Sequence, residues 1–440
     1  MGSARTALFN LLVARRQDGS VVLRLDDTDA ERNRPEYETA VYEGLRWIGF
    51  DWDEGPDVGG PDGPYRQSER MDLYREQAAR LLQSGAAYRC FCTPPELEAE
   101  RQAARARGVA YRYSRRCLTD PPHDREEFVV RLQVPPGETV VRDAIRGDVP
   151  FENGLIGDPV LVRSNGTPLY NFSSTIDDAL MRITHVIRGE EHLPNTPIQL
   201  MLFDAMGTPR PGLFAHVPVI VGKDHKKLSK RLHPEMKLET YQQRGYLPEA
   251  VLNYLALLGW NPGTEEEIFS RDELIREFSL ERVQNSPAMF DWDKLDWING
   301  VYIRGLSDAE LARRLRPFLP ELPEETIRAA APALKERLPH LDRARELLGY
   351  LTRAPEAPRL DPNQREMVDA AAGRLASTAW TPEAVEEALE QVREARGWGR
   401  GKFFNPIRLA VAGGDSPPIH YTLALLPRDE ALNRLRRAAA

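Results

Sequence analysis

The feature that most narrows what this chain can fold into is the alternation of helix-period and strand-period stretches near its start. MGSARTALFN begins a helical run, carrying Ala4, Ala7, Leu8 and Leu12, that closes near Gly19. SVVLRLDDTD follows. Val21, Leu23 and Leu25 alternate with polar neighbours, which reads as a strand delivering Asp26, Asp27 and Asp29 to a surface. RPEYETAVYEGLRWIGF then places Pro35 at a helix start, with Val41, Leu45 and Ile48 on one face. A loop rich in Gly, Pro and Asp (DEGPDVGGPDGP) leads to a helix over 68–84 with Tyr74, Ala78, Leu81 and Leu82 inward. Helices alternating with a strand in this way predict an α/β domain built on a parallel sheet.

The texture changes at about Ala86. CFC at 90–92, a charged helix over 95–107, and the strand candidates EEFVVRLQV, ETVVRDAI and PVLVRSNG predict an α+β insertion. The α/β pattern returns with TIDDALMRITHVIRGEE and FAHVPVIVG, so the sheet is interrupted rather than ended. LPEAVLNYLALLGW is a helix with Pro248 in its first turn and Val251, Leu255 and Leu258 inward. From Leu306 onward the pattern is helical. SDAE at 307–310 has the form of a capping box, and a helix opens at Thr381-Pro382, carries Val385, Leu389 and Val392, and stops at Gly397.

Composition removes several classes. Hydrophobic residues make up 41% and charged residues 29% of the 440, as in a soluble globular protein. No apolar run approaches the ~18 residues of a membrane span, and no basic n-region precedes an apolar stretch. Three Cys suit a reducing cytoplasm better than a disulfide framework. The formal charge of −8 does not exclude nucleic acid, because a local basic face can sit inside an acidic total.

The strongest chemical signal is DHKKLSKR at 224–231. Lys226, Lys227, Lys230 and Arg231 place four cations within six residues after an apolar strand. Taken alone this is a solvated basic loop or a clamp that closes over phosphate and stabilises charge on a transferring phosphoryl group.

KLSKR resembles the KMSKS signature of class I aminoacyl-tRNA synthetases, and LRLDDTD resembles the RIEDTD strand end of bacterial glutamyl-tRNA synthetases. GPYRQSER at 63–70, VIRGEEHLPNTPIQ at 186–199, GYLPEAVLNYLALLGW at 245–260 and FDWDKLDWINGVYI at 290–303 are similar to that family in the same order. The resemblance implies a Rossmann-type parallel sheet split between 1–85 and 175–225, and an acceptor-end-binding insertion over 86–174. A KMSKS loop and stem-contact region would span 226–305, and an all-α anticodon-binding region 306–440. It implies a monomeric, membrane-free ligase with glutamate, ATP, Mg and tRNA-Glu as substrates and partners.

The resemblance also implies roles. Lys230, the second lysine of the loop, would meet the charge growing on the α-phosphate, with Lys227 as an auxiliary cation. Ser229 and the backbone near Leu228 would hold the loop over adenosine, and Gly2 would pack against adenine. Arg188 would grip the α-carboxylate of glutamate. Tyr170 and His192 would line the pocket, and Asp26, one methylene shorter than the family's usual Glu, would face the ammonium. For Arg188 the ordinary alternative is a surface ion pair with Glu190 or Glu191, for Tyr170 a core aromatic, and for Asp26 a helix cap.

Cys90, Cys92 and Cys117 in the insertion are either zinc ligands, as in some bacterial members, or reduced semi-buried thiols. A tetrahedral site wants a fourth donor. Tyr113, Asp120 and His123 are near in sequence, whereas the family's usual position holds Thr119, a poor ligand. Arg313, Arg314, Arg316, Arg434, Arg436 and Arg437 are tRNA contacts or a solvated face.

A glutaminyl enzyme would carry β-barrels in place of the helical C-terminal region. The short paralogue that modifies a tRNA base would lack that region altogether. A catalytically impaired tRNA-binding relative is the competing reading from another class. It draws on the chain's opening, where Met1 aligns with the Val or Ile of a HIGH-type motif. The first strand, an Arg, a Ser and the motif's His are then expected upstream of residue 1, and the chain as written is expected to fold poorly and be inactive.

Overall fold

The computed structural model describes residues 1–28, 35–122, 124–228 and 233–440. The opening helix, α1 (Gly2–Arg16), buries Leu8, Phe9, Leu11 and Leu12 completely. Residues 20–25 are extended, but they do not form the regular strand that the alternation predicts. The N–H groups of Leu23 and Leu25 donate to the carbonyls of Glu54 and Tyr65 at 2.8 and 2.9 Å, giving isolated parallel bridges only. The reason lies in the partner: the 54–66 segment is the Gly/Pro/Asp-rich loop, which cannot present a continuous ladder.

In α2 (Pro35–Trp47) Leu45 is buried, and so is Ile48 just beyond it. Val41 is 42% exposed against expectation, because the apolar stripe runs one turn past the surface that covers it. A short 3-10 turn precedes α3 (Met71–Ser84), which stops at Gly85 in the left-handed region (φ 77°). Tyr74, Ala78 and Leu81 face inward as expected.

The insertion-like stretch contains β1 (Ala87–Cys90), α4 (Pro94–Ala106), α5 (Arg116–Thr119), β2 (Val129–Leu132), β3 (Glu138–Asp143), β4 (Gly147–Glu152), α6 (Asn153–Ile156) and β5 (Val160–Val162). Next come α7 (Tyr170–Leu180), β6 (His185–Gly189), α8 (Thr196–Met206), β7 (Leu213–Val217) and β8 (Ile220–Val221). Strands β1, β2 and β5 form an antiparallel sheet. A second sheet has the order β4-β3-β7-β6 and is mixed: β6 and β7 are parallel through five residue pairs, while β3 and β4 form an antiparallel hairpin. The strand β4 escapes the sequence reading because Pro150 interrupts it, and Pro is tolerated there because β4 is an edge.

One core cluster ties these parts together, with Tyr74 and Leu81 of α3, Val130 and Leu132 of β2, Leu161 of β5, Phe172 and Ile176 of α7, and Leu202 of α8.

The chain divides into two units, 1–236 with 252–290, and 237–251 with 291–440. After α9 (Leu238–Gln243), α10 (Pro248–Leu257), α11 (Arg271–Glu277) and the short β9 (Ala288–Met289), which pairs with β8, the second unit continues through α12 (Trp292–Gly305), α13 (Asp308–Leu315), α14 (Glu324–Leu334), α15 (Arg343–Leu347), α16 (Pro362–Leu375), α17 (Pro382–Ala395), α18 (Arg400–Ala412), α19 (Ile419–Ala424) and α20 (Arg428–Ala439). The capping box expected at 307–310 is half made. Ser307 accepts from the Glu310 N–H at 3.1 Å, but the Glu310 carboxylate accepts from Arg313 and Arg314 instead. Full boxes form at Thr93/Glu96, Ser270/Glu273 and Asp361/Gln364. No helix among the described residues is long and apolar enough to cross a membrane.

Candidate active site

Two cavities meet at one arginine. The larger, about 710 Å³, lies between the 20–26 extension and the outer strand β6, over α1. Asp26, Tyr170, Ser174, Asp178 and Arg188 stand on its walls. In the extension, Val21, Leu23 and Leu25 use their backbone groups toward the 53–67 loop, and Val22 and Arg24 are among the residues that line this cavity. The smaller, about 450 Å³, is lined by Gly2, Arg5, Thr6, Arg188, Gly189, His192, Lys227 and Leu228. It sits where α1 begins and β6 ends, which is the end of a parallel sheet where ligands gather. The structure therefore brings Asp26, Tyr170 and Arg188 to one cavity and Gly2, Lys227, Leu228, His192 and Arg188 to the other. Ser229 and Lys230 lie outside the described residues, as does Asp29.

Arg188 comes from β6, and each of the three nitrogens of its guanidinium makes at least one hydrogen bond. Nε donates to His216 Nε2 at 3.1 Å, Nη1 to the Tyr170 hydroxyl at 3.3 Å, and Nη2 to Thr196 Oγ1 and Gln199 Oε1, both at 2.7 Å. All four partners are formally neutral acceptors. Among the described residues no carboxylate pairs with Arg188. The surface ion pair weighed for it is absent: Glu190 pairs with Arg146, and Glu191 stands 3.6 Å from Lys227. The guanidinium is thus held in place with its charge unspent.

Tyr170 is 37% exposed, so it is no core aromatic, and its ring lies 5.4 Å from that of His192. Burial, reinforced by the nearby Arg188 charge, pushes the His192 imidazole below its usual range, so the ring facing the cavity is neutral at pH 7. Among the described residues Asp26 caps no helix; its carboxylate accepts from Arg24 Nε at 3.0 Å and stays partly exposed. The capping-like role falls to Asp27, which accepts from the Ser68 N–H and hydroxyl. Lys227 is reached through a hairpin turn, in which the Leu228 N–H donates to the Ile220 carbonyl and the Gly222 N–H to the Lys226 carbonyl, with His225 at φ 60°. The basic loop is thereby anchored to β8 at its entry.

Sequence reasoning missed a buried polar network behind the site. Asp177, with a fully buried side chain, accepts from Gln67, Arg70 and Tyr74, while Arg24 reaches Asp178 at 2.7 Å. Burial pushes the Asp177 carboxyl up, and Arg24 and Arg70 oppose that push. The available signal was the run of polar residues, Ser173, Ser174, Thr175 and Asp177, on a helix whose other face is core.

The three cysteines converge, with sulfurs all within 4.8 Å of one another and Cys92 3.4 Å from Cys117. The Tyr113 hydroxyl stands 3.2 Å from Cys90 and 3.3 Å from Cys92. Thr119 turns away and donates to the Arg116 carbonyl, and His123 lies outside the described residues. Of the arginines in the helical unit, Arg314 binds Glu249 and Glu310, Arg316 donates to the carbonyls of Leu319 and Leu322, and Arg434 is buried on those of Tyr350 and Val411. These three hold the fold together.

The family model for class I tRNA synthetases (E and Q), catalytic domain, matches residues 1–297. The chain belongs to this family. A second model, an anticodon binding domain, matches residues 310–439 of the synthetase, which accounts for the helical unit. The glutamate–tRNA ligase of Moorella thermoacetica is 43% identical over 467 aligned positions, covering all of this chain and 95% of that protein. That of Carboxydothermus hydrogenoformans is 40% identical, covering 99% and 96%. A crystal structure of a glutamate tRNA ligase from Elizabethkingia meningosepticum, in complex with its amino acid, superposes with a TM-score of 0.89 at 32% identity, covering all of this synthetase and 96% of that chain.

Proposed function

We propose that this synthetase is a glutamate–tRNA ligase. It joins the glutamate α-carboxylate to the α-phosphate of ATP with loss of pyrophosphate, then passes the glutamyl group to the 3′ end of tRNA-Glu with loss of AMP. The observation that carries the reading is Arg188, a moored and uncompensated cation shared by both cavities. A carboxylate gripped there lies at the junction where it meets a nucleotide in the second cavity. Asp26 faces the ammonium and Tyr170 adds a hydroxyl. The nucleotide's charge is met by Lys227 and by the N-terminal turn of α1 at Gly2, which has no acidic side chain. Lys230 meets the charge growing on the α-phosphate, Ser229 serves the adenosine, and Mg2+ accompanies the polyphosphate. The 86–174 stretch receives the acceptor end, 226–305 the stem and 306–440 the anticodon. The test is charging of tRNA with labelled glutamate against glutamine, together with pyrophosphate exchange with and without tRNA. Glutamate charging with tRNA-dependent exchange would support the assignment; preference for glutamine, or exchange indifferent to tRNA, would count against it.

We also infer that Cys90, Cys92, Cys117 and Tyr113 hold zinc. Three soft sulfurs and one phenol oxygen supply a four-donor set. Arg116, 3.0 Å from Cys92, and Arg131, over the Tyr113 ring at 4.2 Å, offset the negative charge such a set acquires. Burial pushes the Cys92 thiol up to about 11 and the Tyr113 phenol well above its usual range, whereas the contacts with Tyr113 and Arg131 bring the Cys90 thiol below its own. The metal would tie α5 to β1 and has no part in the chemistry of acyl transfer.

A further inference from the structure

Behind Arg188 lies a pair of buried residues for which the reaction has no direct use. His216, on β7, has no exposed surface. Its Nδ1 stands 2.6 Å from Asp143 Oδ2, and its Nε2 is 3.1 Å from Arg188 Nε and 3.0 Å from Thr196 Oγ1. The Asp143 side chain, on β3, is also fully buried, and its other oxygen accepts the N–H groups of Ile145 and Arg146 at 2.9 and 2.8 Å. A guanidinium Nε can only donate, so the imidazole must offer Arg188 the lone pair of Nε2. The ring is then neutral, with its proton on Nδ1 given to Asp143. Burial alone would raise the Asp143 carboxyl, but the His216 bond and the two backbone donors bring it below its usual range, so it is an ionised acceptor. On the other side of the guanidinium the amide of Gln199 is fixed in the same sense: its Nε2 donates to Ser174 at 3.1 Å, which leaves Oε1 to accept from Arg188.

We propose that Asp143 and His216 are positioning residues for Arg188. The carboxylate holds the imidazole in its Nδ1–H tautomer, and the imidazole holds the guanidinium in the plane that presents it to the substrate carboxylate. This rests on the reading of Arg188 as the carboxylate-binding residue. It also explains why a strand contributed by the 86–174 stretch pairs with β7: the single parallel pairing, Asp143 with Phe214, brings Asp143 to His216. With an Nε2–H tautomer or an imidazolium, two N–H donors would face each other and Arg188 would swing from its place.

The experiment has two readouts. In protein carrying 15N-histidine, the resonances lost in His216→Gln identify the ring; protonated Nδ1 and unprotonated Nε2 at pH 7.5 are expected. A proton on Nε2 overturns the proposal. Kinetically, His216→Phe should raise the glutamate KM about tenfold or more with the ATP KM unchanged. His216→Gln should recover most of that loss, because its amide can accept from Arg188 and donate to Asp143. An unchanged glutamate KM in a folded His216→Phe protein overturns it as well. In an Arg188→Lys background His216→Phe should add nothing further; a full additional rise would show that His216 does not act through Arg188 and overturns the proposal. If Arg188→Lys alone leaves the glutamate KM unchanged, the parent reading of Arg188 fails, while the tautomer measurement still decides whether the dyad is set as described.

Discussion

The Tyr170 hydroxyl lies 3.3 Å from Nη1 of Arg188, on the wall of the larger cavity. A phenol there can steady the guanidinium and donate to a bound carboxylate. Tyr170→Phe removes one hydrogen bond from a partly exposed side chain. It is expected to raise the glutamate KM roughly three- to tenfold, with a small change in kcat and none in melting temperature. Steady-state charging of tRNA over a glutamate series measures this. A fall in kcat at constant KM would mean that the hydroxyl acts on the transition state instead.

The Tyr113 hydroxyl and the three sulfurs define the second prediction. Protein produced with zinc in the medium should carry one zinc per chain by elemental analysis. Tyr113→Phe should weaken retention against a chelator by about tenfold or more, and Cys117→Ser should abolish stoichiometric zinc. Zinc-free wild-type protein would leave the cluster as three reduced thiols.

Asp177 is the acceptor for three donors, one of them Arg70, which is 3% exposed. Asp177→Ala leaves a buried guanidinium without its carboxylate. A loss of about 3–5 kcal/mol is expected from breaking a buried pair on one side only. Thermal unfolding should show a melting temperature several degrees lower, and a variant as stable as the parent would mean that water replaces the carboxylate at no cost.

The lowered Asp143 carboxyl makes a prediction about acid. A carboxyl whose folded-state pKa lies below its unfolded value contributes stability above the unfolded value, near 4, and loses it as pH falls through the folded value. Asp143→Asn should therefore be less stable than the parent at pH 7 in urea unfolding, and the gap should narrow once pH drops below about 4. A gap independent of pH would indicate that Asp143 contributes through shape rather than charge.

Much of the fold was legible because it rests on local rules. The buried face of α3 follows its apolar spacing, and Gly85 and Gly397 end helices at positive φ. Three strand candidates of the insertion became β2, β3 and β5. The failures share a cause. Residues 20–25 alternate like a strand, but a ladder needs a partner, and the 54–66 loop offers two isolated bridges. Val41 lies on the apolar face of α2, yet it stays 42% exposed. Glu310 stands where a capping box needs it, but two arginines compete for its carboxylate. In each case the pattern stated what a residue could do locally, and a neighbour distant in sequence decided what it did.

The site divides along the same line. Residue types at motif positions, Arg188 in VIRGEEH, Tyr170 in GTPLYNF, Gly2 at the head of its helix and the lysines of DHKKLSKR, were enough to nominate the substrate-facing groups. Chemistry requires those side chains, and the motifs carry them in order along the chain. That Arg188 has a neutral mooring, that His216 offers it a lone pair because Asp143 takes its other proton, and that Tyr113 stands beside the cysteines could be decided only in three dimensions. Asp143 and His216 are 73 residues apart and meet only because β3 and β7 run side by side. Hydrogen-bond direction and charge compensation depend on distances of about 3 Å, and folding, not sequence spacing, sets those distances.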